Sequence, residues 1–123
     1  MVELSKVRRG CIYVVDFDPV RGSEQGKKRP ALVIQNNLGN LTSTTTIVIA
    51  ISSRVPTKAY PMHVTLPAEI LGKPGIIMCE QIRTVSLERV EGRVLAELSP
   101  EMMQQVEQAI YHQLGFSEET AGL

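Results

Sequence analysis

The sequence predicts a mainly β fold: a small antiparallel barrel or folded sheet with one helix at its end. Three observations carry this. Short apolar runs alternate with turn clusters along most of the chain. One run, Thr45–Ser52 (TTIVIAIS), is apolar almost without a break, which predicts burial on both faces of a sheet. After Ser99 the apolar spacing lengthens to three or four residues.

Taken in order, residues 11–17 (CIYVVDF) are rich in β-formers and stop at Asp18-Pro19. Residues 31–35 predict a second strand and Thr45–Ser52 a third, with turn residues at 36–40, Gly39 among them, between the two. Residues 62–66 (MHVTL) alternate: Met62, Val64 and Leu66 share one side, His63 and Thr65 the other. Residues 75–85 form one long strand or two with a bend, and 93–98 add a short edge strand. Brief helical turns fit near Ala68–Leu71 and residues 86–89. Ser99 is a suitable N-cap and Pro100 a suitable first helical residue. Met103, Val106, Ile110 and Leu114 then make one apolar stripe, and Gly115 a C-cap. The expected organisation is a single domain over residues 1–116 and a tail over 117–123.

At 123 residues with 43% hydrophobic content the chain is long and apolar enough for a core. Its formal net charge is zero, but residues 1–58 hold nine Lys/Arg and four Asp/Glu, and residues 59–123 the reverse counts, four and nine. A neutral protein of this kind can present a basic face to a polyanion, unless the two halves interleave. Cys11 and Cys79 are far apart in apolar surroundings, with no Cys-x-x-Cys, so two reduced, buried thiols are expected and a zinc site is not. No apolar run approaches membrane-spanning length and the N-terminus lacks a signal-peptide core, so the expected compartment is the cytoplasm.

The stretch RGSEQGKKRPALVIQN, residues 21–36, is the most informative in the chain. It places Lys27, Lys28 and Arg29 between a small, polar loop and a buried strand. Such a loop can close on a phosphate while the strand fixes Arg29. Pro30 restricts Arg29 to extended angles. The planar guanidinium can give a phosphate two hydrogen bonds and stays charged at any ordinary pH. Ser52 and Ser53 follow the most apolar strand. Spacing alone reads them as turn serines before Arg54, but in an antiparallel hairpin the start of one strand lies beside the end of the next, which brings Ser52 to Arg29.

Other chemistry is not indicated. Asp16 and Asp18 share a strand face but have no third ligand, and read as a solvated strand end. Glu80, in a very apolar run, is expected to pair with Arg83 or another arginine. There is no Walker sequence, no Gly-x-Gly-x-x-Gly and no Gly-x-Ser-x-Gly, so neither a nucleotide cofactor nor a triad hydrolase is expected.

The run RRGCIYVVDFDPVRGSEQGKKRPALVIQN closely resembles the MazF/PemK-like toxins of bacterial toxin–antitoxin pairs. The similarity continues through IVIAISS, KAYPMHV, IMCEQIRTV and LSPEMMQQVEQAIYHQLG, covering nearly the whole chain in order. The resemblance implies an SH3-like β-barrel of the CcdB/PemK-like toxin fold with a C-terminal helix, acting as a homodimer. It implies a sequence-specific, ribosome-independent endoribonuclease that cuts single-stranded RNA without a metal or other cofactor. It places the family's catalytic arginine on Arg29 and its catalytic threonine on Ser52, where this chain has serine. Serine keeps the hydroxyl and loses a methyl, so activity is expected to survive. The loop residues Ser23, Glu24, Gln25, Gly26, Lys27 and Lys28 would line the RNA groove, with Ser53, Arg54, Lys58 and Gln81 also on RNA. In that set Gln25 and Gln81 would read base edges, and the cations would attract phosphates. The resemblance further implies a cognate antitoxin that covers the site with an extended acidic segment. The alternatives are a gyrase-poisoning toxin of the same fold, acting by protein contact, and an RNA-binding SH3-like module without catalysis.

Overall fold

The computed structural model describes residues 6–18, 27–54 and 58–116. Six strands form one antiparallel sheet: β1 (Cys11–Asp16), β2 (Lys28–Val33), β3 (Thr45–Ser52), β4 (His63–Leu66), β5 (Gly75–Ser86) and β6 (Ala96–Glu97), in the order β4-β5-β3-β2-β1-β6. Among the described residues, helix α1 (Asn37–Thr42) lies between β2 and β3, α2 (Ala68–Leu71) between β4 and β5, and α3 (Pro100–Gln113) follows β6. The mainly β class with a C-terminal helix is as expected.

Both faces of the sheet are covered, and the alternation of side chains explains how. Val48 and Ala50 of β3 enter one core with Tyr13, Val15, Ala31, Val33, Ile76 and Met78. Ile49 and Ile51 enter the other with Ile12, Leu32, Val64, Leu66, Ile77 and Cys79, under Met103, Val106 and Ala109 of α3. The unbroken apolar run of β3 is thus a strand buried on two sides. The first core is enclosed because the sheet rolls up. After β5, a 3₁₀ turn (Leu87–Arg89) carries the chain back to β1, where Val90 bridges Val15 and Glu91 N–H donates to the Val14 carbonyl.

β5 is one strand of twelve residues, not two. Its register with β3 changes: Ile49 faces Ile82, but Ile51 faces Ile77. Four residues, 78–81, therefore stand where β3 has only Ala50, and this bulge bends the strand. Glu80 and Gln81 lie on it.

Three segments differ from the sequence reading by more than a single terminal residue. β2 begins at Lys28 rather than at 31 and ends at Val33 rather than at 35. Proline is tolerated inside it because Pro30 faces Val14 of β1, while the β2–β3 ladder starts one residue later at Ala31. The turn expected at 36–40 is the start of α1, capped by the Asn36 side chain, which accepts from Gly39 N–H. The edge strand expected over 93–98 is reduced to Ala96–Glu97.

Buried Asn40 fixes α1 to the sheet. Its Oδ1 accepts from Gln35 Nε2 (3.0 Å) and Thr46 Oγ1 (2.6 Å), and its Nδ2 donates to the Gln35 carbonyl (3.0 Å). Asn40→Ala strands those partners, so a loss of about 2–3 kcal/mol is expected. Urea unfolding would show it as a lower midpoint at an unchanged slope.

α3 starts and stops as its sequence requires. Ser99 Oγ accepts from Met102 N–H, and Pro100 opens the first turn. At the other end Gly115 has φ +81°, with Gly115 N–H on the His112 carbonyl and Phe116 N–H on the Tyr111 carbonyl. The Tyr111 and Phe116 rings meet at 5.4 Å, the apolar contact that accompanies this kind of stop. The buried stripe is Met103, Val106 and Ala109, with Ile110 at its margin. Leu114, expected to continue it, is 55% exposed.

Both cysteines are free and buried. Burial, and then the Glu80 carboxylate beside it, push the Cys79 thiol up to about 12 from an ordinary 9.0. An unfolded thiol loses its proton near pH 9, so between about pH 9 and 12 the folded chain holds one proton more. Stability therefore falls as pH rises through that window. Cys79→Ala removes this share of the alkaline slope, which urea midpoints of both proteins at pH 8 and 10.5 would reveal.

Candidate functional site

The end of β1 and the start of β2 are locked together at the site. Phe17 N–H donates to the Lys27 carbonyl and Lys27 N–H to Asp18 Oδ1, while Asp18 N–H donates to Asp16 Oδ1. The two aspartates thus serve as backbone acceptors at a loop base. Lys27 sits at φ +65°, a left-handed conformation that costs a side-chain-bearing residue about 1–2 kcal/mol. Two arginines secure the other side. Arg83 Nη1 donates to the Phe17 carbonyl and lies over the Phe17 ring, 5.6 Å from its centre. Arg89 Nη1 donates to the carbonyls of Asp16 and Asp18.

Beside this base lies a cleft of about 270 Å³, lined by Lys27, Lys28, Arg29 and Pro30 from β2 and its approach, by Ile51, Ser52 and Ser53 from β3, and by Leu71, Lys73, Pro74 and Gly75. The β2–β3 register pairs Ala31 with Ala50. Continued by two residues, it sets Arg29 opposite Ser52. Arg29 is half-buried and Ser52 only 5% exposed. Ser52 Oγ accepts from Arg54 N–H at 3.1 Å, which fixes the hydroxyl oxygen and leaves its hydrogen to be donated. Gly75 closes one wall. A Cβ there would stand 3.2 Å from Ile51 Cγ2 and from the Ser52 carbonyl, a tight fit to which Ile51 or Ser52 would have to yield by a few tenths of an ångström.

Among the described residues, four cations and no carboxylate line the cleft. Lys28 is also within 3.3 Å of Glu91, an exposed pair of small worth. Arg29, Ser52, Ser53, Lys27 and Lys28 come together as the hairpin argument requires. Arg54 is exposed and reaches the site through its backbone N–H; neither it, exposed Lys58 nor half-buried Gln81 lines the cleft. Ser23, Glu24, Gln25 and Gly26 lie outside the described residues. Lys73 was not anticipated. Its signal in the sequence is the tetrapeptide GKPG, residues 72–75, in which Gly72 closes α2 at φ +84° and turns the lysine toward the cleft.

Among the described residues Glu80 pairs with no arginine. Arg83 is engaged by Phe17, and the Glu80 carboxylate lies 2.8 Å from His63 Nε2. The register explains the partner: His63 faces Met78 across β4–β5, and Glu80 is two residues further along the same face. Among the described residues no group of three His, Cys, Asp or Glu side chains is placed to hold a metal, and no helix is long and apolar enough to cross a membrane.

Known proteins match this chain over most of its length. Residues 8–114 fit the sequence pattern of the PemK-like, MazF-like toxins of type II toxin–antitoxin systems. Endoribonuclease EndoA of Bacillus subtilis is 42% identical over 106 residues, 85% of this chain and 90% of that protein. The crystal structure of MazF from Deinococcus radiodurans superposes with a TM-score of 0.77 at 32% identity, over 89% of this chain and 96% of that one. A mycobacterial endoribonuclease in complex with its cognate antitoxin has the same fold, with a TM-score of 0.73 at 19% identity, over 92% of this chain and 99% of that one. With the family pattern spanning both cores, the cleft and the terminal helix, the chain belongs to the PemK-like, MazF-like toxins of type II toxin–antitoxin systems.

Proposed function

We propose that this toxin is a sequence-specific endoribonuclease that cuts single-stranded RNA by attack of a ribose 2′-oxygen on the adjacent phosphorus. The observation that carries the reading is the juxtaposition of Arg29 and Ser52 in one cation-lined cleft. In the step, the bond from the 2′-oxygen to phosphorus forms and the bond from phosphorus to the 5′-oxygen breaks. A 2′,3′-cyclic phosphate and a free 5′-hydroxyl result; the proton leaves the 2′-oxygen and one is delivered to the 5′-oxygen. Charge builds on the non-bridging oxygens, and there the Arg29 guanidinium and the Ser52 hydroxyl donate. A requirement for the 2′-hydroxyl makes RNA, not DNA, the substrate. Lys27, Lys28 and Lys73 attract neighbouring phosphates without reading sequence. The loop residues Ser23, Glu24, Gln25 and Gly26, with Ser53, Arg54, Lys58 and Gln81, are assigned to RNA contact on the family resemblance.

The toxin acts in the cytoplasm as a homodimer. The exposed Tyr111, Leu114 and Phe116 at the end of α3 are surface that a second copy can cover. A cognate antitoxin silences it by laying an acidic segment across the cationic cleft.

The test is incubation of the purified chain with a long single-stranded RNA in EDTA, with products mapped by primer extension. Cuts at one short motif, absent with Arg29→Ala, are the expected result. A folded wild-type protein that leaves a whole transcriptome intact would overturn the reading and favour a toxin acting by protein contact.

A further inference from the structure

Tyr60, His63 and Glu80 form a polar and aromatic group that the cleavage chemistry above does not use. His63 and Thr65 point to the sheet face opposite Val64 and Leu66, which enter the core under α3. Across the β4–β5 pair His63 faces Met78 and Thr65 faces Ile76, and across β3–β5 Ile76 faces Ser52. Thr65, Ile76, Ser52 and, by continued register, Arg29 therefore make one row across four strands, on one face. The His63–Glu80 pair stands on that same face, further along β4 and β5. With strands about 4.8 Å apart, His63 lies two strands and more than 9 Å from Ser52. That is too far to serve the same phosphate, and fits a group one or two nucleotides away.

The chemistry of the group suits a base and not a phosphate. Glu80 repels phosphate, but its carboxylate accepts from base-edge N–H groups. Its Oε2 is held by His63 Nε2 at 2.8 Å, and its side chain remains 33% exposed. With Nε2–H donating, His63 orients Glu80, and its Nδ1 is buried with no hydrogen-bond partner among the described residues. Tyr60 packs edge-on against the imidazole at 5.4 Å while keeping 44% of its own surface exposed. An aromatic face beside an oriented acceptor is the arrangement by which unstacked bases of single-stranded RNA are held.

We infer that Tyr60, His63 and Glu80 form a nucleobase subsite of the cleavage motif, in which Glu80 selects a base that presents N–H donors on its Watson–Crick edge and Tyr60 supplies an apolar face. This rests on the endoribonuclease reading. Guanine, with N1–H and N2–H together, offers the carboxylate the fullest match, and uracil, with a single donor, less.

The test uses the full chain and two readouts. Cut sites of the wild type, Glu80→Gln, Tyr60→Ala and Tyr60→Phe are mapped by sequencing on one RNA pool. Binding of the same proteins to a random 2′-O-methyl RNA pool, which resists cleavage, is measured in parallel. A good two-bond contact discriminates bases by about five- to a hundredfold. Glu80→Gln should lose that preference at one motif position alone, Tyr60→Ala should weaken binding at the same position, and Tyr60→Phe should restore it. Thermal melts show whether each variant is folded. Unchanged motifs in folded Glu80→Gln and Tyr60→Ala, by both readouts, overturn the subsite and leave the endoribonuclease reading standing. A wild type that binds the pool with a base preference but does not cut would sink the cleavage reading alone; one that binds no RNA would sink both.

Discussion

Arg29→Ala is expected to lower RNA cleavage by at least about a hundred- to a thousandfold, the usual loss when one donor to a developing oxyanion is removed. The fold should hold, because the side chain is half-buried at the cleft and not part of either core. Melting curves within a few degrees of the wild type, together with lost cleavage of an oligonucleotide carrying the mapped motif, would meet the expectation. Arg29→Lys should recover only part of the rate. A lysine keeps the charge but lacks the planar fork that offers two parallel hydrogen bonds. An Arg29→Ala protein that cleaves normally would move the chemistry to another residue of the cleft, with Lys73 the first to examine. Ser52→Thr tests the other half of the pair: the β-branch narrows the rotamer choice and keeps the hydroxyl, so the rate should be retained or raised.

Phe17→Ala should be the most damaging single change to the fold. Phe17 is 1% exposed and fills the enclosed core with Tyr13 and Val15. A truncation of this kind costs about 3–5 kcal/mol, a large share of the stability of a domain this size. It also removes the ring under Arg83, whose guanidinium holds the Phe17 carbonyl beside the strained Lys27. The damage should therefore spread to the cleft. Activity measured well below the melting temperature should fall as well, through a looser placement of Lys27, Lys28 and Arg29. Phe17→Leu keeps most of the apolar volume and none of the cation–ring contact. If Phe17→Leu is nearly as stable as the wild type but cuts RNA more slowly, the clamp matters apart from the core. Equal activity would show that the backbone bonds of Asp16, Phe17 and Asp18 position the site without the ring.

Strands β1, β3 and β4 and helix α3 were legible because each combines a clear apolar period with an unambiguous stop. The stops are Asp18-Pro19, Ser52-Ser53, Pro67 and the Ser99-Pro100 start with its Gly115 finish. The start of β2 was not, since Lys28, Arg29 and Pro30 look like loop residues, and only pairing with β1 makes them strand. Helix α1 escaped notice because Asn36, Asn37, Gly39 and Asn40 favour turns locally. The buried network around Asn40 and Thr46 decides otherwise. The meeting of Arg29 and Ser52 followed from hairpin topology, a rule about neighbours in sequence. Glu80 was correctly read as needing a partner, but the partner was His63, seventeen residues earlier, and not the nearby Arg83.

The sequence by itself determined most of the segments that extend, where the terminal helix begins and ends, and which cation and hydroxyl the antiparallel β2–β3 pair brings together. These depend on local periodicity, on caps and on the antiparallel rule, all of which act over short stretches of chain. Tertiary structure alone decided that Lys73 joins the cleft, that a three-residue register change bends β5, and that the His63–Glu80 pair stands on the face of Ser52 with Tyr60 against the imidazole. Each of these depends on how the sheet rolls and on which residues its register sets side by side, and no local pattern encodes a pairing made across the whole sheet.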